Sequence, residues 1–171
     1  IKKIQKKRKL KMLSIGLKSN TFDILDHKIF ENFQYLKIKY KNKIYKLRIN
    51  LYGSIQIKNL FMAILASKVC GLKVENILNK IDRIESVEGR LQLKRILTNN
   101  SKIFLDYAHT PEALEKAILS LREHFNKKIS VIFGCGGERD KSKRKLMGKI
   151  ASRYCDKIYI TDDNPRNENA K

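Results

Sequence analysis

A chain of 171 residues, 42% hydrophobic and 32% charged, is long enough to bury one core or two small ones, which sets it apart from disordered polymers. No apolar run reaches the roughly 18 to 20 residues of a membrane span, and the basic start at residues 1–8 is followed by no apolar signal-peptide core. The net charge of +21 favours anionic ligands, but the lysines are spread among Ile and Asn along the whole chain without RNP aromatics, zinc-finger ligands or basic heptads, so a solvated surface is preferred to a nucleic-acid interface.

Residues 10–25 carry the short apolar pieces Ile15-Gly16-Leu17 and Thr21-Phe22-Asp23-Ile24-Leu25, bounded by Gly, Ser and Asn, and predict strands with turns. Through residues 35–51 the alternation is plain. Leu36, Ile38 and Tyr40, then Tyr45, Leu47, Ile49 and Leu51, alternate with Lys and Arg on either side of Lys41-Asn42-Lys43, predicting a β-hairpin with one buried face. From Asn59 to Cys70 the period becomes helical, with Leu60, Ala63, Ile64 and Ser67 on one stripe and Gly71 as the stop. A second helical signature runs over residues 74–84 through Ile77, Leu78, Ile81 and Ile84.

Beyond residues 88–92 the texture is α/β. A strand over 102–106 ends on Asp106, and Thr110-Pro111-Glu112 starts a helix with Leu114, Ala117, Ile118 and Leu121 as its stripe. A strand over 129–133 runs into Gly134-Cys135-Gly136-Gly137, a helix follows over 146–154, and a last strand covers 157–161. This order predicts a parallel sheet with right-handed crossovers, with ligands at the carboxyl ends of its strands. Cys70, Cys135 and Cys155 form no CxxC pair. They read as reduced thiols of a cytosolic protein, used as small apolar residues in the interior.

Three polar clusters follow the strands of the second half. GCGGERDK at 134–141 suits either an anion held by backbone N–H groups beside Arg and Lys or a flexible turn. In DYAHTP at 106–111, Asp106 either accepts ribose hydroxyls or caps the turn, and His109 by itself reads as an exposed loop residue. In TDDNPR at 161–166, acids and an arginine could clamp a zwitterion, or the segment is an Asp-Asn-Pro turn.

Taken in order, DYAHTP, GCGGERDKSKRKLMG and TDDNPR closely resemble the diaminopimelate-adding branch of the Mur ligase family. The segment GSIQIKNLFMAILA at 53–66 resembles the family's glycine, strand and Asn-initiated helix, and Glu88 to Gln92 its GR segment, although Ile55-Gln56 stand where Phe-Asn is frequent. The resemblance covers residues 51–171, and the hairpin fits by order.

It implies the end of a central ATPase domain over residues 1–90, a hairpin plus helices, followed by part of a Rossmann-like C-terminal domain over 91–171. The implied reaction adds meso-diaminopimelate to UDP-N-acetylmuramoyl-L-alanyl-D-glutamate: ATP makes an acyl phosphate, which the amine attacks. By resemblance Asn59 meets the adenine, Arg90 and Asp106 hold the phosphate and ribose portions, Tyr107 lines the same pocket, and His109 is a further candidate. Lys141 would reach the phosphates on domain closure. Arg139, Asp163, Asn164, Pro165 and Arg166 correspond to the amino-acid pocket, where a buried Arg166 would bind the distal carboxylate that lysine lacks. On that reading Arg166→Ala lowers diaminopimelate use by orders of magnitude.

The chain contains neither a GKT-type phosphate loop nor an initiating Met, and the family's carbamylated lysine has no counterpart. The expectation is a fragment, inactive alone, with no catalytic residue or metal ligand of its own. ATP would be a substrate and Mg2+ would be held upstream. Its partners would be small-molecule substrates, with neither nucleic acid nor membrane among them, and the protein a cytoplasmic monomer. The alternatives are a lysine-adding relative, disfavoured by Arg166; folylpolyglutamate or cyanophycin synthetases, disfavoured by His-Thr-Pro and DNPR; a basic nucleic-acid-binding module; and a gene remnant.

Overall fold

Side chains that alternate between apolar and charged can bury only one face of a sheet, and the first half of the chain is built on that constraint. The computed structural model describes residues 4, 7–9, 12–16 and 21–169. The chain divides into two units, Ile1–Glu85 and Ser86–Lys171. In the first, β1 (Ile15–Gly16) pairs parallel with β2 (Phe22–Ile29), and β3 (Gln34–Tyr40) and β4 (Lys43–Ile49) continue antiparallel. The sheet order is 1-2-3-4. Leu36, Ile38, Tyr40, Leu47 and Ile49 are buried, whereas Lys39, Lys46 and Arg48 are exposed, as the alternation predicts. Leu17 lies outside the described residues.

β2 runs on to Ile29, beyond the apolar piece that signalled it. A register shift between Ile24 and Asp26 breaks its alternation, and a bulge of this kind erases the period by which a strand is read. On β3 the fully buried polar residue Gln34 donates from Nε2 to Leu51 O at 2.8 Å and Gly53 O at 3.1 Å, while its Oε1 lies 2.8 Å from His27 Nε2. It thereby fixes the segment that enters the next helix.

That helix, α1 (Ser54–Val69), begins at once after Gly53, whose φ of 81° suits glycine. The strand expected between the glycine and Asn59 is therefore absent, and Asn59 sits within the helix rather than starting it. Ile57, Phe61, Ile64 and Leu65 form the buried stripe. Ile55 and Ile57 look like strand alternation only because Ile57 is the first member of the helical set, spaced i, i+4, i+7, i+8. Leu60 and Ser67 are half-buried and Ala63 is exposed, so the stripe is rotated from the one expected. Gly71, at φ 93°, follows the Cys70 cap as expected. Cys70 itself is exposed, not interior, because it lies past the buried stripe. The second helical signature splits into α2 (Val74–Leu78) and a 3-10 turn at Ile81–Arg83, with Val74, Leu78 and Ile81 buried in the same core.

In the second unit β5 (Gln92–Ile96) and β6 (Lys102–Leu105) form an antiparallel pair. After α3 (Pro111–His124) comes β7 (Ser130–Phe133), then α4 (Ser142–Tyr154), then β8 (Lys157–Ile160), and β7 and β8 pair parallel. The α/β character and the parallel β7–β8 pair agree with the expectation. β6, expected in that sheet, is hydrogen-bonded instead to β5, a strand hidden from sequence reading by Lys94 and Arg95. Thr110 caps α3 as predicted, accepting from Ala113 N at 3.2 Å, with Pro111 in the first turn. Leu114 and Ile118 of α3 meet Met147 of α4 in the core, with Val131 and Phe133 of β7 against them. Among the described residues no helix is long and apolar enough to cross a membrane.

Replacing Gln34 with Leu would leave the carbonyls of Leu51 and Gly53 without this donor. We expect a loss of about 1–3 kcal/mol in urea unfolding, and an unchanged midpoint would refute the role given to Gln34.

Candidate functional site

Each strand of the second unit that precedes a helix or the last turn ends in a polar segment: residues 106–110 after β6, 134–141 after β7 and 161–169 after β8. In the first of these, Asp106 Oδ2 accepts from Leu91 N at 2.9 Å, and Tyr107 N donates to Gly89 O at 2.8 Å. The GR segment is thus tied to the end of β6. The Arg90 guanidinium lies 5.0 Å from the centre of the Tyr107 ring, a cation–π distance. His109 packs edge-on to Tyr107 at 5.1 Å, and its Nδ1 is 3.0 Å from Tyr107 O. Since a carbonyl only accepts, Nδ1 carries the proton. Arg90, Tyr107 and His109 are exposed, and Asp106 is half-buried. Lys143 Nζ, from α4, donates to His109 O at 3.0 Å.

The second and third segments close on each other. Gly137 N donates to Asn164 O at 3.1 Å, Arg166 donates to Gly137 O, and Asn167 Nδ2 donates to Glu138 Oε1 at 2.8 Å. The glycines are required by this proximity. A Cβ on Gly137 would overlap the Pro165 carbonyl, and one on Gly134 would overlap Thr161 O and come within 2.8 Å of Asp163 Cβ. The choice between an anion cradle and a flexible turn thus gains a third answer: the turn is glycine-rich because a second turn packs on its backbone.

Glu168 sits at the junction. Its carboxylate accepts from Glu138 N at 2.9 Å and from Arg144 NH2 at 2.7 Å, and Lys141 Nζ lies 3.4 Å away. The Glu138 amide first, then Arg144 and Lys141, pull its carboxyl from 4.5 down to about 2. At the start of α4, Asp140 Oδ1 accepts from Ser142 Oγ at 2.6 Å and Ser142 N at 2.9 Å, and these bonds hold its carboxyl below the ordinary carboxylate range. A shallow cavity of about 210 Å³ is lined by Cys135, Arg144, Thr161, Asp163, Pro165 and Glu168, among others.

The expected residues therefore separate into groups. Arg90, Asp106, Tyr107 and His109 lie together. Asp163 and Pro165 line the cavity. Asn164 joins the closure through its backbone, and Arg166 through its guanidinium. Arg139 and Arg166 are exposed, which corrects the expectation of a buried Arg166 guanidinium: the residue stands on an outer turn with its φ at 53°. Lys141 is engaged with Glu168. Asn59, in the first unit, is exposed on α1, with Nδ2 3.4 Å from Gln56 Oε1. Sequence reasoning missed Glu168, Arg144 and Lys143. The only available signal was an acid just past the DNPR turn opposite the basic run 141–145. Among the described residues no group of three or more His, Cys, Asp or Glu side chains is placed to hold a metal ion.

A family model described as Mur ligase, glutamate ligase domain, matches residues 89–171. The UDP-N-acetylmuramoyl-L-alanyl-D-glutamate–2,6-diaminopimelate ligase of Rickettsia montanensis is 43% identical over 140 residues, covering 81% of this chain and 28% of that protein. The ligase of the same name from Rickettsia bellii (strain RML369-C) is 38% identical over 173 residues, covering 100% of this chain and 35% of its own length. A solved structure of a ligase with this name superposes with a TM-score of 0.63 at 28% identity, covering 98% of this chain and 35% of that one. The chain thus spans about a third of the length of these proteins.

Two measurements probe the closed turns. Gly137→Ala should cost about 1–3 kcal/mol, the usual range for overpacking, read as a lower denaturation midpoint; an unchanged midpoint would mean that the turns do not meet. In an NMR titration the Glu168 carboxyl should have its midpoint near 2, and Arg144→Met should move it upward. Because the folded value lies below the ordinary 4.5, the carboxylate's contribution to stability is complete above that range and is lost as pH falls toward 2.

Proposed function

Because the chain belongs to the Mur ligase family, we propose that it is part of an ATP-dependent ligase joining meso-diaminopimelate to UDP-N-acetylmuramoyl-L-alanyl-D-glutamate. Residues 1–90 are assigned to the end of the central domain and residues 91–171 to the C-terminal, amino-acid-binding domain. The observation that carries this reading is the seating of the Asp163-Asn164-Pro165-Arg166 turn on the glycine-rich turn at the carboxyl ends of two parallel strands, where α/β sheets take their ligands.

In the proposed reaction the glutamate carboxylate of the nucleotide-linked dipeptide attacks the γ-phosphorus of ATP, releasing ADP and forming an acyl phosphate. The amine of diaminopimelate attacks the acyl carbon. The tetrahedral intermediate expels phosphate and leaves the amide. The chemistry requires two anions and an amine held together while charge develops, so most of the work is positioning and electrostatics. This chain's contribution is the amine end. Arg166 binds the distal carboxylate, with the carboxylate of Asp163 and the exposed cation of Arg139 beside the substrate. Arg90, Asp106 and Tyr107, tied together at the end of β6, are assigned to the nucleotide, with His109 next to them. Asn59 and Lys141 are carried as nucleotide contacts on resemblance.

The exposure of Arg166 alters the physics of selectivity. A guanidinium within reach of water is not stranded when lysine is offered, so the preference rests on the charge-assisted pair that diaminopimelate gains. A hydrogen-bonded charge pair is worth about 1.5–3 kcal/mol, so Arg166→Ala should lower kcat/KM for diaminopimelate by about ten- to a hundredfold. The assay is phosphate release by a full-length ligase carrying this chain, given ATP, the UDP-linked dipeptide and either diaminopimelate or lysine. Release with diaminopimelate alone is expected. Release with lysine alone would overturn the assignment of Arg166, and release with neither would overturn the reaction.

A further inference from the structure

Of the charged side chains around the two closed turns, Glu168 touches the most partners and has no part in the reaction proposed above. It follows Arg166 by two residues, and its own N–H donates to Pro165 O at 3.0 Å, closing the turn from below. Its carboxylate then reaches three places on the other side: the Glu138 amide in the glycine-rich turn at 2.9 Å, Lys141 at the cap of α4 at 3.4 Å, and Arg144 in the first turn of α4 at 2.7 Å. One side chain therefore ties the segment after β8 to both the turn and the helix that follow β7.

The backbone held this way is under strain. Asn164 has φ 46° and Arg166 φ 53°, and Glu138 across from them has φ 52°. Non-glycine residues in the left-handed region persist only where their surroundings over-determine them, and they gather at ligand clamps. The hydrogen bonds Gly137 N to Asn164 O and Arg166 to Gly137 O link the two strained stretches, but both depend on the turns staying in register. Arg144 adds a second constraint. Its Nε is buried without a hydrogen-bond partner, so Glu168 is the anion that compensates a guanidinium only 35% exposed. Removing that anion leaves the Arg144 guanidinium without a counter-ion, with the Gly136 carbonyl at 3.4 Å as its remaining acceptor, and takes the acceptor from the Glu138 amide in the same step.

We propose that Glu168 is the positioning residue that locks the Arg166 turn onto the glycine-rich turn, and that through this lock it sets how well the amino-acid substrate is held. The second half of the statement rests on the amino-acid reading of that turn given above; the first half does not. Glu168 touches neither substrate nor nucleotide in this scheme and acts through the placement of Arg166; its pair with Lys141, at 3.4 Å from a side chain 70% exposed, is too solvated to place that lysine.

The test has two arms. In the first, amide hydrogen exchange is followed in this chain for wild type, Glu168→Ala and Glu168→Gln. The Gly137 and Glu138 amides should exchange at least roughly tenfold faster in Glu168→Ala, with Glu168→Gln between it and wild type because an amide oxygen still accepts while the charge is gone. Unchanged exchange at both amides would overturn the lock. In the second arm, full-length ligase carrying the same substitutions is assayed by phosphate release. KM for diaminopimelate should rise by roughly ten- to a hundredfold, as a displaced positioning group demands, while KM for ATP stays within about twofold. Equal rises in both constants, or none in either, would overturn the specific effect on the amino acid. Should Glu168→Ala fail to fold, Glu168→Gln decides both arms. If wild-type enzyme releases no phosphate with diaminopimelate, the proposed function fails while the exchange arm still decides the lock.

Discussion

Two backbone turns can approach this closely at the end of a parallel strand pair only if one of them carries no side chain at the point of contact. Gly134 and Gly137 meet that condition against Thr161, Asp163 and Pro165, and the arrangement of the second unit's polar residues follows from it. With the turns in contact, Asn164 O faces Gly137 N and the Arg166 guanidinium faces Gly137 O. Asp163 and Pro165 then border the cavity beside Cys135. Glycine here serves close approach rather than mobility, so the loop is at once glycine-rich and fixed.

A similar economy operates after β6. One oxygen of Asp106 is engaged by the Leu91 amide, and Leu91 stands at φ 45°. The carboxylate thus holds an unfavourable backbone residue beside Arg90, and Tyr107 presents its ring to that arginine. The structural and functional readings of Asp106 are not exclusive. The bond that caps the GR segment holds the backbone next to Arg90, and a second, ligand-facing role requires only the remaining lone pairs of the carboxylate.

Much of this was legible in the residues. The hairpin followed from strict alternation, the start of α3 from Thr110-Pro111-Glu112, and the three polar segments from their position after apolar runs. What escaped shares one cause: a signal that depends on a partner far along the chain. β5, rich in Lys and Arg, is a strand because β6 pairs with it, and the end of β2 is a strand because β3 does. α1 starts at Ser54 rather than Asn59 because Gly53 turns the chain and the sheet takes Ile57 into its core. Glu168 and Arg144 lie 24 residues apart in sequence and meet only when β7 and β8 pair. Local pattern carries periods and caps; it does not carry register between distant segments.

The exposure of Arg166 and the half-buried state of Arg144 place two guanidiniums of one neighbourhood in different dielectric settings. Arg144 is compensated by Glu168 within the protein and is therefore a fixed element of the scaffold. Arg166 spends its hydrogen bond on a neutral carbonyl, Gly137 O, and keeps its charge available to an anion arriving from water. A carboxylate ligand would meet a guanidinium already oriented by that carbonyl, so little of the binding energy is consumed in ordering the side chain. The division of labour between the two arginines, one neutralised to hold the turn and one left charged at its rim, follows from where Glu168 sits.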